Sequence, residues 1–325
     1  MTVRAVITSC GAYLPEEIVT NRDLEKRVDT SDEWIVQRTG IRQRHIAGAH
    51  ETTSFMAFKA AQDAMMAGGI DPHTIDAVLV CTSTPNHTFP SVAAELQAML
   101  DIPPCAAFDL QAVCSGFVYG LSVADMMIRC GQAKRVLLVG AEKFSSILNW
   151  EDRTTCVLFG DGAGAVILDA DQGGRGTLED RGVLFSRLYA DGRYKDILYV
   201  DGGPATTGSC GHVVMQGREV FKHAVTCMAD IVSETLAANK LQPTDIDWLV
   251  PHQANIRIIE STAKKLGVPM AQVVVTVDRH GNTSAASIPL ALNDAVKSEK
   301  IKQGDMLLIE ALGAGLTWGA ALVRF

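Results

Sequence analysis

Three segments carry residues able to do chemistry, and each lies where an apolar run gives way to a helical pattern. In Phe108-Asp109-Leu110-Gln111-Ala112-Val113-Cys114-Ser115-Gly116-Phe117, a short strand leads into a helix running through Val123 and Met127. Cys114 therefore stands at a helix N-terminus, where free N–H groups and the positive dipole end favour a thiolate. Its small neighbours Ala112, Ser115 and Gly116 leave room for an acyl group. In Pro251-His252-Gln253-Ala254-Asn255, a histidine follows a buried strand and precedes the helical stretch 256–266. That is the end of a strand at which α/β folds place their ligands. In Gly281-Asn282-Thr283-Ser284-Ala285-Ala286-Ser287, the turn is read as joining a strand, 273–277, to another helix. Each residue also has a plain structural reading: Cys114 as a small buried hydrophobe, His252 as a hydrogen-bonded core histidine, and Asn282 as a turn residue. His280 ranks as a weaker alternative to Asn282.

The elements that must position these turns alternate along the chain. Apolar runs at 77–82, 135–140, 248–251 and 306–310 read as buried strands. The stretch 215–240 sets Phe221, Val225, Met228 and Val232 at helical spacing. This predicts α/β layers with mostly parallel strands. An echo runs through the chain. Ile70-Asp71-Pro72-His73-Thr74-Ile75-Asp76 and Leu241-Gln242-Pro243-Thr244-Asp245-Ile246-Asp247 each precede a strand, and Gly162-Ala163-Gly164 is answered by Gly313-Ala314-Gly315. The repetition predicts two halves of like topology, 1–172 and 173–325, packed as one body about a pseudo-twofold axis. In that register the Asn282 turn lies close to the counterpart of the Cys114 turn.

Composition narrows the function. Of the 325 residues 47% are apolar and 20% charged, the balance of a globular protein, and the net charge of −8 argues against nucleic-acid binding. No apolar run approaches the roughly 20 residues that span a bilayer, and the first residues read as a strand rather than an export signal. A cytoplasmic protein is expected. Its eight cysteines, none in a C-x-x-C pair, are expected to be reduced. No Cys/His spacing suggests a metal, and no glycine fingerprint suggests a dinucleotide cofactor.

Taken with T-S-D-E-W-I-V-Q-R-T-G-I-R-Q-R-H-I (30–46), F-G-D-G-A-G-A (159–165), V-P-H-Q-A-N-I-R (250–257), R-H-G-N-T-S-A-A-S (279–287) and T-W-G-A-A-L-V-R-F (317–325), these turns give an end-to-end resemblance. The chain resembles the β-ketoacyl-acyl-carrier-protein synthase III family. The resemblance implies a thiolase-like fold, two similar halves in a five-layered α-β-α-β-α arrangement. It also implies initiation of fatty-acid synthesis: acetyl-CoA and malonyl-acyl-carrier protein condense to acetoacetyl-carrier, CoA and CO₂, with no cofactor beyond the substrates. Cys114, His252 and Asn282 become the implied triad, with the backbone of Cys114 and Ala314 as oxyanion donors. Trp34, Arg38, Arg153 and Asn255 become CoA contacts, and Phe89 and Phe159 acyl-pocket residues, Phe89 reaching into the partner of a homodimer. Gln253, Arg257, Lys222, Lys264 and Lys265 become the docking surface for the acidic carrier. The chain departs from the family pattern at Leu312 and Leu316, where aromatic residues often stand, and at Ala314 within the usual glycine triplet. Primer choice is where these departures bear.

Competing expectations are a relative primed by another acyl group in alkylquinolone or polyketide synthesis, a papain-type Cys-His-Asn hydrolase, and a silent ketosynthase-like subunit. The hydrolase lacks its C-G-S-C-W signature, and the silent subunit would lack Cys114.

Overall fold

The computed structural model describes residues 2–325. The first sheet comprises β1 (Thr2–Tyr13), β2 (Ala77–Cys81), β3 (Ala106–Leu110), β4 (Arg135–Glu142) and β5 (Gly162–Gly174), in the order β1-β5-β4-β2-β3. The second comprises β6 (Gly182–Ala190), β7 (Trp248–Pro251), β8 (Met306–Gly313) and β9 (Thr317–Arg324), in the order β6-β9-β8-β7. In each sheet two antiparallel pairings are followed by a parallel one. The sheets therefore match strand for strand. β5 continues to Gly174, past the expected boundary at 172, so the passage between the sheets is the turn after it.

The second sheet lacks a full fifth strand. The stretch 273–277, expected as a strand, makes one parallel bridge, Val273 to Leu249, and then a short helical turn from Val277 to His280. The cause is local. Gln253 Oε1 accepts from the Thr276 and Val277 backbone N–H groups at 2.8 and 3.1 Å, capping donors that would otherwise seek a neighbouring strand.

The repeated Pro-x-x-Ile-Asp segments do the same work twice. Pro72–Thr74 and Pro243–Asp245 form single 3₁₀ turns. Asp76 Oδ2 then accepts from the Arg135 amide at 3.0 Å, and Asp247 Oδ2 from the Met306 amide at 2.7 Å. Each aspartate sets where a central strand begins.

Helices complete the layers: α1 (Asp32–Thr39), α2 (Thr53–Gly68), α3 (Val92–Met99), α4 (Gly116–Arg129), α5 (Gly217–Asn239), α6 (Ile256–Leu266) and α7 (Ser287–Lys297). α2 and α3 cover the outer face of the first sheet through Met56, Ala60, Val92 and Leu96. α5 and α6 cover the second through Ile231, Val232, Ile259 and Ala263. Between the sheets lie α4 and α7, with Phe117, Leu121, Ile288 and Leu292 in the central core. This is the five-layered thiolase-like arrangement. No helix among the described residues is long and apolar enough to cross a membrane.

Candidate active site

Cys114 lies in a 3₁₀ turn, Val113–Ser115, that feeds directly into α4. Its counterpart is the turn Ser284–Ala286, which feeds into α7. The equivalent of Cys114 is thus Ala285, and Asn282 sits just upstream. The two turns pack against each other across the centre of the molecule. Gly313, at the end of β8, lets the cysteine turn approach, since a Cβ there would stand 2.8 Å from the Cys114 nitrogen.

His252 and Asn282 reach the same space. Cys114, His252 and Asn282 all line a narrow cavity of about 100 Å³, with Phe159, Phe221, Asn255 and Leu312. Cys114 and Phe159 also wall a wide cavity of about 840 Å³, which includes Ala314, Phe144 and Val113. Phe159 is buried and stacks on Phe144 at 4.3 Å. The sulfur therefore stands where a channel meets a chamber.

Hydrogen bonds fix how the polar groups face the cavity. Asn282 Oδ1 accepts from the Ser284 amide at 2.9 Å, which leaves the Nδ2 hydrogens for the cavity. Ser287 Oγ lies 2.6 Å from His252 Nδ1 and accepts from the Gln253 amide at 3.4 Å. With the serine hydroxyl donating to Nδ1, the imidazole carries its own hydrogen on Nε2, the tautomer that can donate there. Burial pushes the His252 pKa down to about 3, so the ring is neutral. Burial also pushes the Cys114 thiol up to about 12. This burial acts against the helix terminus, whose N–H groups favour the thiolate. His280, the weaker candidate, is buried against His45 and does not line either cavity with Cys114.

The remaining expected contacts divide. Arg38 and Arg153 both lie over the Trp34 indole, at 4.4 and 5.3 Å from its centroid. Ser31 caps α1 through the Trp34 amide, and Asn255 caps α6 while donating to the Arg38 carbonyl at 3.0 Å. The narrow cavity's Asn255 wall thus abuts this cluster. Arg257, Lys264 and Lys265 are exposed on α6, Lys222 is exposed on α5, and Arg257 lies over Phe221 beside Lys222. Gln253 does not belong with them. It is fully buried, donating to Pro251 and Val274 carbonyls at 2.8 and 3.0 Å besides accepting two backbone N–H bonds. A docking role for Gln253 is therefore withdrawn. Phe89, which by its residue type alone would be assigned to the core, is 83% exposed.

Two buried carboxyls near the site went unread in the sequence. Glu142 ends β4 and Glu310 lies on β8, both fully buried. A charged residue closing an otherwise apolar strand run was the available signal.

Comparison with known proteins agrees with this architecture. Residues 108–192 match the family model described as 3-oxoacyl-[acyl-carrier-protein (ACP)] synthase III, and residues 236–325 match its C-terminal model. The chain is 58% identical over 323 residues to a β-ketoacyl-[acyl-carrier-protein] synthase III of Erythrobacter litoralis, covering 99% of this chain and all of that one. It is 59% identical over 325 residues to that of Rhodospirillum centenum, covering both chains in full. The crystal structure of 3-oxoacyl-[acyl-carrier-protein] synthase III from Aquifex aeolicus superposes with a TM-score of 0.93 at 46% identity, covering 99% of this chain and all of that one. The chain belongs to the β-ketoacyl-[acyl-carrier-protein] synthase III family.

Proposed function

We propose that this protein starts fatty-acid synthesis by condensing acetyl-CoA with malonyl-acyl-carrier protein, through an acyl-Cys114 intermediate. The observation that carries the reading is the convergence of Cys114, His252 and Asn282 on one narrow cavity. Cys114 attacks the acetyl thioester and releases CoA. The backbone N–H groups of Cys114 and Ala314 receive the oxyanion formed there. Malonyl-carrier then loses CO₂, and its enolate oxygen accepts from His252 Nε2–H and the Asn282 amide. A neutral histidine suits that task, because it has a hydrogen to give and no charge to lose. The enolate carbon attacks acyl-Cys114, and acetoacetyl-carrier leaves. Nothing beyond the substrates is consumed.

Trp34, Arg38, Arg153 and Asn255 would hold the CoA nucleotide, the guanidinium planes parting to admit adenine against the indole. Exposed Phe89 would be covered by the acyl pocket of a second copy, making the homodimer part of the site, with Phe159 on the inner wall. Lys222, Arg257, Lys264 and Lys265 would meet the acidic carrier, a basic patch on a chain whose net charge is −8. A cytoplasmic location follows from where such substrates occur. The polyketide-priming alternative is not favoured, given relatives near 58% identity named for the synthase itself. The test is reconstitution with acetyl-CoA and malonyl-carrier. Acetoacetyl-carrier and one CoA per turnover support the reading. A preference for longer acyl-CoA primers in competition would refute acetyl as the primer.

A further inference from the structure

Arg44 is a buried cation held by neutral groups. It lies on the short strand Gln43–Ile46 and is fully buried. Its Nη1 donates to the Val19 carbonyl at 3.2 Å and to Asn21 Oδ1 at 2.9 Å, and its Nη2 donates to the Val157 carbonyl at 2.7 Å. Taking a guanidinium out of water with no carboxylate partner is costly. What this side chain supplies in return is a rigid fork of donors that joins two separate parts of the chain.

The first part carries one wall of the Trp34 cluster. Asn21 is buried, and its Nδ2 hydrogens go to Asp32 Oδ1 at 2.8 Å and to the Ile41 carbonyl at 2.7 Å, which leaves its oxygen for Arg44. Asp32 is the first residue of α1, the helix that presents Trp34 and Arg38. The second part carries the other wall. Val157 lies in the turn 153–158, which opens on Arg153. The direct contact between the walls, Arg153 to Asp29 at 3.2 Å, is exposed to solvent, and pairs of that kind contribute little. The same turn is pinned to the reacting centre from its far end. The Asn282 amide donates to the Leu158 carbonyl at 2.9 Å, and the Gly160 amide donates to the Asn282 carbonyl at 3.0 Å, with Phe159 bridged to Asn282 between them. Arg44 packs into this junction. A Cβ on Gly160 would stand 3.0 Å from the Arg44 Cβ, and one on Gly281 3.1 Å.

We propose that Arg44 is the positioning residue that sets the two walls of the CoA-nucleotide site, Trp34 with Arg38 and Arg153, in register with each other and with the Asn282 turn. This rests on those three residues holding the nucleotide. Arg44 lines neither cavity beside Cys114 and touches no substrate. It acts through Asn21 and the Val157 carbonyl. Its loss is therefore felt by a thioester that carries the nucleotide, and not by one that ends at the pantetheine arm.

The test compares loading of Cys114 from acetyl-CoA and from acetyl-pantetheine, followed by quenched-flow intact mass spectrometry. Arg44→Met should lower kcat/KM for acetyl-CoA roughly 10- to 100-fold, mainly through KM, while acetyl-pantetheine loads near the parent rate. Arg44→Lys keeps the charge without the fork and should recover only part of the loss. Asp32→Ala, at a partly exposed position, cuts the link from Asn21 to α1 and should shift the ratio of the two substrates in the same direction. It keeps the test decisive if Arg44→Met fails to fold. A parent-like ratio in the folded variants, or equal losses with both thioesters, would overturn the positioning role and leave the nucleotide site standing. A parent protein that loads from acetyl-pantetheine as efficiently as from acetyl-CoA would overturn the nucleotide site itself.

Discussion

Val113 and Ser284 hold the same left-handed backbone conformation, φ 47° and 49°, at matching positions of the two halves. Neither is a glycine, and a β-branched valine is especially disfavoured there. The pair marks one strained turn used twice. In the first half it presents Cys114, and in the second it turns Ser284 back toward the same centre.

Strain of this kind costs ~1–3 kcal/mol. Val113→Gly should therefore lower stability by less than ~1 kcal/mol, since relief of strain offsets the lost side chain. Val118→Gly, at a fully buried helical position of α4, should cost upwards of ~3 kcal/mol. Urea unfolding of both variants checks the contrast.

His252 should contribute no titration to malonyl decarboxylation. With its pKa held near 3, the rate should show no inflection between about pH 5 and 8, where an ordinary histidine changes charge. His252→Ala or Asn282→Ala should slow decarboxylation roughly 100- to 1,000-fold, and acetyl loading of Cys114 much less. The linkage to folding has a definite sign. A histidine depressed in the fold contributes stability above its unfolded value of 6.5 and loses it as pH falls toward 3. Decarboxylation and thermal unfolding across that range measure both.

Gln253 and Arg257 sit four residues apart and should fail differently. Gln253→Ala strips partners from buried backbone groups and should cost ~2–4 kcal/mol of stability. Arg257→Glu, on the exposed face, should leave the melting temperature nearly unchanged while raising KM for malonyl-carrier and sparing loading from acetyl-CoA. Thermal melts and the two half-reactions distinguish them.

Glu310 gives a pH signature of opposite kind. Both its oxygens are buried without partners, and burial raises its pKa from 4.5 to about 8. The folded protein holds this proton more tightly than the unfolded chain does. Stability is then full below about pH 4.5 and falls as pH rises toward 8, by as much as ~4–5 kcal/mol. Glu310→Gln should flatten that decline, as denaturant midpoints at the two ends of the range would reveal.

Much of the fold was legible because its signals are local. The Pro-x-x-Ile-Asp segments could be matched by eye, and Asp76 and Asp247 do set equivalent strand starts. The three chemical turns could be found because each lies between an apolar run and a helix. What the sequence hid was set by tertiary contacts. A run of valines at 273–277 has strand propensity, and only the buried Gln253 side chain explains why it does not continue as one. Gln253 itself looked like surface because it lies between two site residues, His252 and Asn255. The Cys114 thiol stands at its helix terminus as read, and its burial, which no local pattern reports, acts in the opposite direction. Glu142 and Ser284 lie 142 positions apart in sequence, and only tertiary packing brings the Ser284 turn against the strand that ends in Glu142.

The most direct test of the account is a chase experiment on Cys114. The protein is loaded with isotopically labelled acetyl-CoA, the adduct is mapped by mass spectrometry, and malonyl-carrier is added. The account predicts one labelled acetyl group on Cys114, gone after the chase and recovered in acetoacetyl-carrier. Label on another residue, or an adduct on Cys114 that persists while product forms, would contradict it.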